Sequence, residues 1–299
     1  MTDHRRWVIW SLASSMLVLG CLWSASERSL YARTQPPWAK AKRVSSGEAK
    51  SIGFYSEGCI QGAQALKAKA PGLRSVRRGR GRFYGHPNLL STLYQIGEEL
   101  NAEGLKPALI GDLSQPRGGL MSFGHKSHQM GLDADVWFGE TLKGKSAVIG
   151  REERLNMEVW SQRHEALLQV ASEQDEVERI FVHWRIKEHF CAQPTPPAWS
   201  RKLRPWFGHD KHFHIRLFCP KDSLECEPQA SLPEGLGCDP AHLTWFSAKE
   251  VRARRKAEAK QKQAPLTQEE RLAKRAARRA REERSELRRR RCAHLSPRR

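Results

Sequence analysis

The chain has 299 residues, 39% of them hydrophobic, with 22 Gly and 16 Pro. That usage excludes a fibrous or wholly disordered polymer and leaves room for one domain of ~100 to 200 residues with appendages. The formal charge of +19 is uneven: from Lys249 to Arg299 there are 20 Lys and Arg against 7 Asp and Glu, so +13 sits there and the rest is only mildly basic.

In chain order, residues 1–26 read as an export signal. His4, Arg5 and Arg6 precede an apolar run from Trp7 to Trp23, followed by Ser24, Ala25 and Ser26. The run is shorter than the ~20 residues of a membrane span. Val18 to Cys21 also resembles a bacterial lipoprotein cleavage box, so the alternative is a signal ending at a lipidated Cys21. Residues 27–49, with Pro36, Pro37, Ser45, Ser46 and Gly47, form a linker, and 50–247 form the main domain. Residues 74–82 read as a basic surface loop. His86 before Pro87 opens a helix that runs to Glu103, with Leu89, Leu90, Leu93, Ile96 and Leu100 at helical spacing and Gly104 as its stop. A strand follows at 107–113, a second helical pattern at 151–176, a strand at 178–184 and a Pro-rich loop at 193–199. Helices interleaved with antiparallel-style strands predict an α+β domain. Residues 248–299 form a basic, partly helical tail.

Two clusters carry the chemistry: SHQMGLDADVW at 127–137 and WFGHDKHFHIRLFCP at 206–220. Successive side chains of a strand point to opposite faces. Phe213, Ile215 and Leu217 can therefore face a core while His212, His214 and Arg216 face away. By the same alternation Leu132, Ala134, Val136 and Phe138 point inward, and Asp133, Asp135 and Trp137 outward. A carboxylate and imidazoles meeting across adjacent strands suit a catalytic zinc, which takes three such ligands and keeps a position for water. Amide hydrolysis is the reaction class, and an unligated His can serve as base and then acid.

At these residues the chain resembles the penicillin-insensitive murein endopeptidases, metallopeptidases related to lysostaphin-like and D-Ala-D-Ala peptidases. The resemblance rests on His128 with Asp135 seven positions later, joined to His212 and His214. It extends through SIGFYSEGCIQGA near 51, RFYGHPNLL near 82, GDLSQPRGG near 111, ERIFVHWRIKEHFC near 178 and the stretch from Arg204 to Glu227. It implies a small central antiparallel sheet whose face carries the metal. It also implies zinc held by His128, Asp135 and His214, with His212 as base and His209 polarising the scissile carbonyl. His125 corresponds to an additional active-site histidine, accessory ligand or neighbour of the ligands. Asp133 is expected to hydrogen-bond a ligand imidazole; His183 and His189 have no assigned role. The activity implied is zinc-dependent hydrolysis of D-alanyl to meso-diaminopimelyl cross-bridges in peptidoglycan, insensitive to penicillin. A D-Ala-D-Ala carboxypeptidase or dipeptidase, and an inactive wall-binding protein, are the alternatives.

Cysteine usage agrees with export to a periplasm. Without Cys21 six remain, and six allow fifteen pairings. The resemblance implies Cys219 with Cys226, Cys191 with Cys238, and Cys59 with the tail's Cys292. The tail is otherwise a solvated helix rich in Ala, Glu and Arg, whose charge would attach it to an anionic envelope surface. No reading motif or aromatic platform accompanies its Arg run, so nucleic acid is not an expected partner.

Overall fold

The alternating segments around Asp135 and His214 form neighbouring strands of one sheet. The computed structural model describes residues 36–139, 147–263 and 266–297; the segment 1–26 read as an export signal, with Cys21, lies outside these residues. The strands are β1 (Lys50–Phe54), β2 (Glu57–Gln61), β3 (Gln64–Ala65), β4 (Lys69–Ala70), β5 (Leu73–Ser75), β6 (Tyr84–Gly85), β7 (Ala108–Ile110), β8 (Asp133–Trp137), β9 (Val177–Val182), β10 (Leu203–Pro205) and β11 (His212–Leu217). The helices are α1 (Pro87–Ala102), α2 (Gln162–Glu173), α3 (Trp184–Cys191), α4 (Pro240–Thr244), α5 (Ala248–Gln263) and α6 (Gln268–Cys292).

Seven strands form the main sheet, in the order β10-β9-β11-β8-β7-β5-β4, while β1 with β2 and β3 with β6 make two small ladders. The centre, β9-β11-β8-β7, is antiparallel. The sheet is wider than the small antiparallel one expected, because β5 joins β7 and β10 joins β9 in parallel. Parallel neighbours need a crossover. Here α1 lies between β5 and β7, and α3 between β9 and β10.

One face of this α+β sheet is covered by helices. Leu89, Leu93, Ile96 and Leu100 of α1, Leu167 and Leu168 of α2, and Ile186 and Phe190 of α3 share a core with Leu132, Ala134, Val136, Phe213, Ile215 and Leu217. His86 caps α1, its Nδ1 accepting from the Asn88 amide at 3.2 Å. The helix expected from residue 151 starts only at Gln162, because Ser161 and His164 form a capping box there. Leu155 and Val159 still pack on the core from an irregular segment. The strand expected to reach Trp184 stops at Val182, and His183 turns the chain into α3 by accepting from the Arg185 amide.

Three disulfides are present, Cys59–Cys292, Cys191–Cys238 and Cys219–Cys226. The first ties the end of α6 to β2. Arg288 reinforces the tie by pairing with Glu57 at 2.8 Å and Glu227 at 2.5 Å, so the last turns of the tail clamp the β1–β2 hairpin instead of standing free in solvent. Among the described residues no helix is long and apolar enough to cross a membrane.

Candidate metal centre

The register of β8 and β11 sets His212 opposite Trp137, His214 opposite Asp135 and Arg216 opposite Asp133. Across β11, Phe181 of β9 continues the His214 row and Arg179 the Arg216 row. The face turned away from the helix core therefore carries ordered rows of polar and aromatic groups.

His128 enters from the loop between β7 and β8 in a left-handed backbone conformation, φ 66°. Its amide donates to Asp133 Oδ2 at 3.1 Å, and its Nδ1 lies 3.1 Å from the Leu113 carbonyl. That carbonyl can only accept, so the proton belongs on Nδ1 and the Nε2 lone pair faces inward, 3.4 Å from Asp135 Oδ1. His214 is fixed in the opposite sense. Its Nε2 donates to Asp133 Oδ1 at 2.7 Å, leaving the Nδ1 lone pair 3.3 Å from His128 Nε2 and 3.9 Å from Asp135 Oδ1. Asp133, held also by Arg216 Nε at 2.8 Å, thus orients one imidazole through its side chain and positions another through its amide. This is the hydrogen-bonding role expected for it.

Three acceptors now converge with no donor among them. Asp135 Oδ1 is buried and lacks a hydrogen-bond partner. A buried acceptor left so is costly, and two imidazole lone pairs 3.3 Å apart repel. A cation between these atoms removes both penalties, and the carboxylate and imidazole set suits zinc. His212 Nε2 faces the same oxygen from 3.6 Å. On the other side, His125 Nε2 lies 3.1 Å from Asp135 Oδ2; His125, His128 and Asp135 offer ligand atoms within 4.8 Å of one another.

Electrostatics keep Asp135 ionised and His214 neutral. Burial acts to raise the Asp135 pKa, but His128, His125 and His212 hold it well below the usual carboxylate range. Asp133 is likewise held low against its burial, by Arg216 and His214. Burial, with His128 beside it, lowers His214 to about 4; burial, with His212 and His214, lowers His209 to about 3. Burial also lowers His212. His125 goes the other way: burial disfavours its charge, yet hydrogen bonds to Asp112 and Asp135 raise it to about 9.

His209 borders His212, with ring centroids 5.2 Å apart, and its Nδ1 lies 2.9 Å from the Phe207 carbonyl. Among the two histidines without an expected role, His183 caps α3 and His189 meets Glu165 at 2.9 Å, both outside this cluster. Sequence reasoning missed Asp112. Its Oδ2 takes Arg80 and Arg82, each at 3.0 Å, and lies 3.5 Å from His125 Nε2. Arg82 is only 4% exposed, so residues 74–82 are not simply a surface loop: their arginines neutralise a carboxylate beside the site. The available signal was the lone Asp after the apolar strand 108–110 and Gly111. Gly111 itself is required, since a Cβ there would meet Trp137 Nε1 at 2.5 Å.

The profile of a family described as penicillin-insensitive murein endopeptidase matches residues 51–274. Proteins of that description are similar to this chain in Haemophilus influenzae, 42% identical over 224 residues (70% of this chain, 78% of the relative), and in Klebsiella pneumoniae subsp. pneumoniae, 39% over 222 residues (70% and 81%). Another, in Pectobacterium atrosepticum, is 36% identical over 234 residues (74% and 83%).

Proposed function

This chain belongs to the penicillin-insensitive murein endopeptidase family, whose members hydrolyse peptidoglycan, and from that premise we propose that its cluster holds one zinc ion through His128 Nε2, Asp135 Oδ1 and His214 Nδ1. The observation that carries the ligand set is the bare, buried Asp135 Oδ1 between two inward lone pairs. His125 is the weaker candidate, because its Nε2 is already shared between the carboxylates of Asp112 and Asp135. We assign it to holding Asp135 in position.

A zinc ion bound there would supply a Lewis acid and would lower the pKa of a bound water to about 7. His212, kept neutral by burial, is the base that takes the water's proton and returns it to the leaving amine. Polarisation of the scissile carbonyl by His209, the role the resemblance implies, would need a second proton on Nε2, since the Nδ1 proton is committed to the Phe207 carbonyl; burial, with His212 and His214 beside it, opposes that proton, so we leave the carbonyl to the metal. The bond we assign is the amide from D-alanine to meso-diaminopimelate. No serine acyl-enzyme is involved, which agrees with insensitivity to β-lactams. The three disulfides support an oxidising periplasm as the site of action, with residues 1–26 as the signal or, for a lipid-anchored form, a signal that ends at Cys21 and leaves it as the lipidated first residue. The basic residues 248–299 are suited to contact with an anionic envelope surface.

The test is digestion of purified sacculi with and without chelator, with muropeptides read by mass and bound metal by elemental analysis. Stoichiometric zinc and chelator-sensitive loss of cross-linked dimers are expected. Full cleavage by metal-stripped protein, or by the His214→Ala protein, overturns the ligand set.

A further inference from the structure

Four arginines lie between β5 and β6, and three of them have acceptors. Arg78 Nη1 donates to the Leu66 carbonyl at 2.8 Å and to Ser75 Oγ at 3.2 Å, and Arg80 and Arg82 share Asp112. Arg77 is the exception. Among the described residues its half-buried guanidinium makes no ion pair or hydrogen bond; it lies over the Trp137 ring, 4.1 Å from the centroid.

That stack is fixed from below. Trp137 is 8% exposed and packs with Val76 and Leu109, and only glycine fits at 111 beside its indole nitrogen. Its ring centroid lies 5.4 Å from that of His212, its neighbour across the register. Arg77 therefore stands over the row that holds His212, one side-chain row along β8 from Asp135, or ~7 Å for two residues of strand. Asp112 and Asp135 favour its charge from a distance, but neither pairs with it, since Asp112 is taken by Arg80, Arg82 and His125, and Asp135 faces the imidazoles. An arginine held rigid in this way is prepared for a planar, bidentate anion.

We propose that Arg77 is a specificity residue that binds the substrate carboxylate next to the scissile amide. The proposal rests on the cross-bridge endopeptidase reading given above and names its recognition element. When one amine of meso-diaminopimelate is acylated in a cross-bridge, the carbon bearing that nitrogen keeps its own carboxylate free. With the scissile carbonyl near Asp135 and His214, the leaving side of the amide extends past His212 over Trp137, and its carboxylate meets Arg77. The same contact discriminates against amides whose leaving amine carries no adjacent carboxylate.

The experiment compares a purified cross-linked muropeptide dimer with the same dimer after carbodiimide amidation of its carboxylates, using the zinc-loaded full chain. The parent enzyme should prefer the free acid, and Arg77→Gln should lower kcat/KM on it by about ten- to a hundredfold, mostly through KM, the expected range for one charge-assisted hydrogen bond. The amidated dimer should be affected little, and Arg77→Lys should recover part of the preference. Free meso-diaminopimelate, used as an inhibitor, should weaken by the same factor. Equal losses on both dimers, which would mean that Arg77 merely seats Trp137, or no loss on either, overturn the proposal. Failure of the endopeptidase reading itself is distinguishable, because the parent enzyme would then leave the free-acid dimer intact.

Discussion

The two faces of β8 and β11 are made by one alternating pattern and are held by different physics. On the helix side, Leu132, Ala134, Val136, Phe213, Ile215 and Leu217 are all fully buried, and their contribution is non-directional removal of apolar surface from water. On the other side, Asp133, Asp135, His214 and Arg216 are nearly as buried, yet each answers particular partners: Asp133 serves His214, Arg216 and the His128 amide together. An apolar face tolerates exchange of groups of similar volume. A polar face does not, because removing one member leaves another buried and unpaired. Metal binding and turnover should therefore depend on the second face, where the stability cost of a substitution follows the partners it strands: large at Asp133, smaller at Asp135, whose Oδ1 has none.

Two substitutions test that division most severely. Asp135→Ala should reduce bound zinc to background and abolish digestion of sacculi, while the melting temperature of the metal-free protein falls less than for a large core truncation, because Oδ1 has no hydrogen bond to lose and Oδ2 loses only its contact with His125. Phe213→Ala, one residue from His214 on the opposite face, should cost about 3–5 kcal/mol of stability through lost burial and a cavity. Its zinc affinity should stay near that of the parent wherever the protein remains folded. Denaturant unfolding and metal titration of both proteins decide the matter; equal stability losses in the two would erase the distinction between the faces.

How much of this the sequence revealed depends on the range of the interaction. Alternation from Leu132 to Phe138 and from His212 to Leu217 is local and was readable, as was the cap at His86. The family motifs pointed to His128, Asp135 and His214 as the zinc set, and the structure brings their ligand atoms together. The parallel partners of β7 and β9 were not readable, since strand order is settled by packing between distant segments. The eight-residue α3 was missed because its start depends on His183 capping the turn after a strand. Asp112 with Arg82, thirty residues apart, gave no periodic signal, and the fixed tautomers of His128 and His214 follow from a carbonyl and a carboxylate that only the fold brings near.

Asp133→Asn probes the polar face without changing its shape. The asparagine oxygen can still accept from His214 and Arg216, but its amide group must then face the His128 N–H, donor against donor, and Arg216 loses its counter-charge. Loss of an oriented carboxylate behind metal ligands should weaken zinc binding by up to roughly a hundredfold, about 2.7 kcal/mol. Competition with a chromophoric chelator measures this. An unchanged dissociation constant would mean that the imidazoles are oriented by the backbone alone.

The smallest effect is expected at the edge of the polar face. Burial acts to raise the Asp112 pKa, but His125, Arg80 and Arg82 lower it from 3.8 to about 2. Between those values the unfolded chain binds more protons than the folded one, so stability rises with pH there. The contribution is complete above the unfolded pKa and is lost as pH falls through about 2. A shift of this size corresponds to roughly 2 kcal/mol. Asp112→Asn should shallow the acid limb of the stability profile of metal-free protein by that amount between pH 4 and 2, alongside a uniform loss at neutral pH as Arg80 and Arg82 lose their partner. If the acid limb keeps its slope, the arginines do not stabilise the Asp112 charge, and Asp112 joins the site only as a hydrogen-bond acceptor for His125.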